Sequence, residues 1–215
     1  MQNLTFAGDK SHPLRLLCLG AHSDDIEIGC GGTVLRLLDE YEETSVCWVV
    51  LASSGRRDEE AVASAEKFLT GAKRKEIIVA DFRDGFFPYQ GERVKEFFEG
   101  LKVKTSPDII FTPYRNDLHQ DHRLVSELTW NTYRNHLILE YEIVKYDGDI
   151  GNPNLFVQLD EATCQEKIGI LMDCFKTQQH HDWFTPDAFS SLLRLRGIES
   201  KGRYAEAFYC RKVVL

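Results

Sequence analysis

His22, Ser23, Asp24 and Asp25 stand in one run, and nearly a hundred residues later His119-Gln120-Asp121-His122 forms a second polar knot. An imidazole beside two carboxylates can move protons, hold a cation, or do both. In water-poor surroundings such groups would desolvate or repel one another unless positive charge sat among them, and a divalent metal is the economical answer. His119 and His122 share a face if both lie on the first turn of a helix. The chemistry these residue types point to is metal-assisted hydrolysis. Each acid alone has a blander reading as a helix cap, with Asp24 or Asp25 at one helix start and Asp121 near the positive end of another. That reading explains the carboxylates and leaves the two flanking histidines without a reason.

For the knots to cooperate, the fold must bring them together. Residues 14–19 form an apolar run without helical period, closed by Gly20, and read as a strand buried on both faces. Gly29, Gly31 and Gly32 follow the acids, and an apolar helical pattern starts at Thr33 and runs to about Glu43. Further strands are expected at 45–51, 76–80 and 107–113, and helices at 58–69, capped by Ser54, at 92–102 and from near Asp121. This alternation predicts an α/β fold: a Rossmann-like, doubly wound, mostly parallel sheet flanked by helices, as a single domain over 1–215. In the strand order 3-2-1-4 the first and fourth strands are neighbours at the switch point, where ligands bind at the carboxyl ends. His22, Asp24 and Asp25 would then face His119, Asp121 and His122. Residues 1–13 read as an irregular arm and 137–159 as further strand with a turn at 147–149. Helices at 161–175 and 187–195 and a closing strand at 205–214 complete the chain, and 137–215 is expected to shape the substrate mouth.

The 215 residues are 43% hydrophobic and 28% charged, which suits an ordinary globular core. A formal charge of -8 argues against a nucleic-acid partner, which calls for a basic stripe. The first residues lack an apolar signal-peptide centre, and no apolar run approaches the roughly 20 residues of a membrane span. The six cysteines are scattered without a CxxC pair, so a soluble protein of a reducing cytoplasm is expected. Nothing in the sequence supports a homo-oligomer.

His22-Ser23-Asp24-Asp25, the following Gly-Cys-Gly-Gly and His119-Gln120-Asp121-His122 together resemble the PIG-L/LmbE family of metal-dependent N-deacetylases. Residues 57–60, Phe82-Arg83-Asp84-Gly85 and Tyr204-Ala205-Glu206-Ala207-Phe208 fall in the family's order, so the resemblance spans nearly the whole chain. It departs at Ser23 and Gln120, where the family usually has proline; that affects loop rigidity and not the chemistry. The resemblance implies removal of an N-acetyl or other N-acyl group from a small amino-sugar derivative through a metal-bound water. His22, Asp25 and His122 would be ligands of zinc, with iron(II) compatible with the same set. Asp24 would be the general base. His119 would stabilise the oxyanion and protonate the leaving amine, with Asp121 orienting its imidazolium. Arg57 and Asp84 would contact the substrate.

Two other classes fit part of the pattern. Two histidines and a carboxylate also suit a non-haem iron oxygenase, although those sites sit on double-stranded β-helices rather than on alternating strand and helix. The glycines after the first strand suggest a non-catalytic nucleotide-binding module, but there is no GxGxxG and the carboxylates would repel phosphate. His180-His181 is a poor joint ligand, because adjacent side chains on a helix diverge. Phe82, Phe86, Phe87 and Tyr89 could wall a sugar site, with Phe86 and Phe87 read as core. Cys30 reads as packing, and Glu206 as weak support for the site.

Overall fold

The computed structural model describes residues 13–214, so the arm expected at 1–13 lies outside them except for Pro13. The strands are β1 (Arg15–Gly20), β2 (Ser45–Val50), β3 (Arg74–Val79), β4 (Ile109–Pro113), β5 (Leu137–Tyr141), β6 (Leu155–Leu159) and β7 (Tyr204–Cys210). The helices are α1 (Asp25–Glu40), α2 (Arg56–Phe68), α3 (Gly91–Lys104), α4 (Gln120–Thr132), α5 (Glu161–Cys174) and α6 (Pro186–Glu199), with a 3-10 turn at Phe87–Gln90. The sheet order is β3-β2-β1-β4-β5-β7-β6, so the expected 3-2-1-4 segment is present. Neighbours from β3 through β5 are parallel, and β7 enters antiparallel between β5 and β6.

The apolar strands follow from cover on both faces. Leu16 and Cys18 of β1 join a layer built with α1, α2, α5 and α6, while Leu17 and Leu19 join the opposite layer with α3 and α4. Among the described residues no helix is long and apolar enough to cross a membrane.

The sequence reading needs correcting at three places. Helix α1 begins at Asp25, not Thr33, and takes the glycines into its body. They are there for closeness: a Cβ on Gly29 would sit 2.0 Å from the Tyr141 ring, on Gly31 2.7 Å from Phe68, and on Gly32 2.5 Å from Leu159. The helix therefore accepts poor helix formers in exchange for close packing on strands β5 and β6 and on helix α2. Second, 137–159 is not one ribbon, because β7 separates β5 from β6 in the sheet. Third, the cap of α2 is Gly55, at φ 62°, with no side-chain cap bond from Ser54.

One buried ion pair ties α1 to the last strand. Lys167 of α5 donates to Ile28 O at 2.7 Å and to Glu206 Oε1 at 2.6 Å. Glu206 in turn accepts from the N–H groups of Gly32 at 2.8 Å and Thr33 at 2.6 Å. Ile28 C=O and Gly32 N–H are the partners of one helical turn, so the pair is stitched into the helix itself.

Candidate metal centre and active site

The carboxyl ends of β1 and β4 lie side by side, and each strand hands over there to a helix. After β1 the chain turns into α1, and the His22 N–H donates to Asp25 Oδ2 at 2.8 Å, so the turn itself orients that carboxylate. After β4, His119 becomes the N-cap of α4 and His122 falls in its first turn. His22, Asp24, Asp25, Asp121 and His122 are all buried. His119 is only partly so.

Three donor atoms from the two corners converge. His22 Nδ1 lies 3.1 Å from His122 Nε2, Asp25 Oδ2 lies 3.3 Å from His122 Nε2, and Asp25 Oδ2 lies 3.6 Å from His22 Nδ1. A tetrahedral zinc with bonds of about 2.0–2.2 Å holds its donors roughly 3.3–3.6 Å apart, so this triangle is close to the dimensions of such a site. The donor types, two imidazoles and a carboxylate, also fit. The other nitrogen of His22 faces Asp84 Oδ1 at 3.0 Å and Asp121 Oδ2 at 3.4 Å. Carboxylates there favour the proton on Nε2 and leave Nδ1 to face the triangle. The ring nitrogens of His22, His119 and His122 also lie within 4.8 Å of one another, so His119 borders the same corner.

Charge within the cluster is strongly coupled. Burial opposes a charge on His22, yet Asp25, then Asp121 and Asp84, outweigh it and hold its pKa well above the ordinary value. His122 behaves alike: burial lowers it, but Asp25 and Asp117 carry it up to about 9. Asp25 is held well below the usual carboxylate range, because His122 and His22 outweigh its burial. Asp24 goes the other way; burial raises its pKa, against the pull of Arg57. Burial, and the charges of His22 and His122, lower that of His119.

Arg57 and Asp84, the expected substrate contacts, lie on the open side. The Arg57 guanidinium donates to Ser23 Oγ at 2.9 Å and to Asp24 Oδ1 at 3.3 Å, and approaches Asp84 at 3.8 Å. The expected bond from the Asp121 carboxylate to the His119 ring is not made. That carboxylate accepts from Gly85 N at 2.7 Å and Phe87 N at 3.0 Å, besides facing His22. Its side chain leaves the first turn of α4 toward the 82–90 loop, away from the cap. Only its backbone N–H reaches His119, donating to Nδ1 at 3.3 Å. Nδ1 thus accepts, and the proton of a neutral His119 sits on Nε2.

Asp117 is the residue the sequence reading passed over. It accepts from the His119 N–H at 2.7 Å and lies 2.9 Å from His122 Nδ1. An aspartate accepting from the N–H two residues on is a local Asx signal and could have been noticed. His180 and His181 lie in a turn after α5 and not on a helix, so their rings do not diverge but meet with centroids 3.9 Å apart; neither belongs to the His/Asp group. Phe87 is buried near His22 as expected, but Phe86, read from the sequence as core, is exposed beneath the Arg83 guanidinium. Cys30 is buried, and burial pushes its thiol pKa well up.

The sequence matches the family model of PIG-L, described as GlcNAc-PI de-N-acetylase, over residues 17–133. The chain belongs to the PIG-L family. A diacetylchitobiose deacetylase of Thermococcus kodakarensis is 32% identical over 127 residues, which is 51% of this chain and 45% of that protein. The chain thus aligns with about half the length of this curated relative. The N,N'-diacetylchitobiose deacetylase of Pyrococcus horikoshii, solved with an inhibitor, superposes with a TM-score of 0.68 at 21% identity, covering 91% of this chain and 83% of that one. The 4-carboxy-2-hydroxymuconate hydratase of Pseudomonas putida KT2440 gives a TM-score of 0.75 at 17% identity, covering 94% and 98%. Deacetylase and hydratase share this fold, so the reaction must be argued from the site. At the two positions where the family usually has proline, this chain uses the side chains as ties: Ser23 to Arg57, and Gln120 Nε2 to Gly85 O at 3.1 Å.

Proposed function

We propose that this PIG-L protein is a metal-dependent deacetylase that hydrolyses the N-acetyl group of an amino-sugar derivative. The observation that carries the reading is the triangle of His22, Asp25 and His122 donors, with Asp24 and His119 on its border. His22, Asp25 and His122 would hold the cation, with zinc the first candidate and iron(II) accepted by the same donors. When bound, such a cation polarises an amide carbonyl and lowers the pKa of a water. Asp24 would serve as the general base for a water at this corner: burial makes it a stronger base, and Arg57 keeps it in reach of its anionic form. His119 would offer its Nε2–H to the carbonyl oxygen as charge develops there, while the proton taken up by Asp24 is the one returned to the departing nitrogen. Asp121 acts through the neighbours, fixing His22 and the 82–90 loop. Arg57 and Asp84, on the open side, suit sugar hydroxyls. The small N-acetylated sugar and the amide bond are inferred from family membership and the relatives' activities.

The test is to load the protein with zinc or iron(II), offer N-acetylglucosamine and diacetylchitobiose, and score acetate and free amine with and without oxygen. Oxygen-independent acetate release that a chelator abolishes is expected. Release unaffected by chelation, or turnover that needs oxygen, would overturn the proposal.

A further inference from the structure

We propose that Asp117 is a positioning residue for His122, fixing that imidazole's orientation and tautomer, and that the loop after β5 braces it through Lys145. The inference rests on the metal reading of the site. His122 turns Nε2 toward the triangle, so Nδ1 must carry the proton, and a carboxylate at Nδ1 is what secures that arrangement in metal sites. Asp117 Oδ2 is 2.9 Å from that nitrogen, and both residues are buried. The approach is close but not aligned as a hydrogen bond, so here it is an ion-pair contact. Its other oxygen is fixed by the His119 N–H at 2.7 Å, so one carboxylate governs both histidines of the second corner.

The brace comes from a distant stretch. Lys145 Nζ donates to Asp117 Oδ2 at 3.0 Å and to Asp149 Oδ2 at 2.5 Å. Asp149 Oδ2 also accepts from the Leu118 N–H at 2.8 Å, and Arg123 Nη1 donates to the carbonyls of Asp117 at 3.0 Å and Leu118 at 2.6 Å. The Lys145, Asp117 and Asp149 side chains are 10%, 3% and 7% exposed, too dry for these contacts to be loose surface pairs. The loop after β5 is thereby tied to the segment that delivers His119 and His122. That gives the later part of the chain a share in setting the metal ligands.

The experiment titrates metal-free wild type, Asp117→Asn and Asp117→Glu with zinc against a chromophoric chelator, and with cobalt(II) by visible absorption. Asp117→Asn keeps the shape and an oxygen for the His119 N–H. It is expected to weaken zinc binding about 10- to 100-fold and to shift the cobalt bands, with the metal-free Tm close to wild type. Asp117→Glu, which keeps the anion, is expected to recover part of the affinity. Unchanged affinity and bands in Asp117→Asn would overturn the inference. So would equal losses in both variants accompanied by a fallen metal-free Tm, which would mark a purely structural role. A wild type that binds neither metal would remove the metal reading itself, a separate outcome from either of these.

Discussion

Helix α1 meets buried charge twice, once at its first turn and once in its middle. In the middle, Lys167 and Glu206 answer each other and three backbone groups of the helix at 2.6–2.8 Å. Every charge there is matched within the chain. At the first turn, two imidazole nitrogens and a carboxylate oxygen face one another at 3.1–3.6 Å. Two imidazole nitrogens so close can be reconciled only by a proton or a cation between or beside them. Buried charge that closes on itself serves architecture; buried donors that share one point serve a ligand. The helix thus carries a rigid splice a turn or so from the group it must hold still.

The largest effects should come from the first turn. His122→Ala is expected to abolish zinc uptake and turnover together, whereas Asp24→Asn keeps the metal and lowers kcat by about 10²- to 10⁴-fold. Metal content and kcat measured on the same samples check this, and matching metal loss in both variants would erase the division between ligand and base. The mid-helix pair should answer in stability. Lys167→Met leaves Glu206 buried without its counter-charge, so the unfolding free energy should fall by about 3–5 kcal/mol, with zinc affinity of the folded protein little changed. Denaturant melts paired with zinc titrations would show it. A large drop in affinity would mean the two encounters form one network.

The smallest effect is a pH dependence confined to the first turn. The His122 pKa rises to about 9 in the fold from an ordinary value near 6.5. A raised pKa means that the native state holds the proton more tightly than the unfolded chain. That stability is complete below pH of about 6.5 and is lost as pH climbs through about 9. The metal-free protein should therefore lose Tm by several degrees across this window. A flat thermal profile would show that His122 is not held by Asp25 and Asp117 as described.

Much of this was readable before any coordinates. The apolar runs with no helical period, broken by glycine and acids, gave the strands, their alternation with helices and the 3-2-1-4 neighbourhood of β1 and β4. From that neighbourhood the meeting of His22, Asp24 and Asp25 with His119, Asp121 and His122 could be drawn. The start of α1 was missed because Gly29, Gly31 and Gly32 have loop-forming propensity, and only the Tyr141, Phe68 and Leu159 side chains explain why a helix uses them. Asp121 was aimed at the wrong partner, since two residues of sequence separation suggested His119 while the 82–90 loop supplied the donors. Asp117 is legible in the sequence only as a local acceptor for the His119 N–H; its contacts with His122 and Lys145 come from packing.

Residue types and their periodicities belong to the chain itself, so they determined the fold class, the two polar corners and the kind of chemistry those corners allow. Which atom of each side chain faces which partner belongs to packing. The targets of Asp117, Asp121 and Glu206 were decided only when the 82–90 loop, the loop after β5 and helices α1 and α5 closed around them. A carboxylate must find its donors wherever folding leaves them.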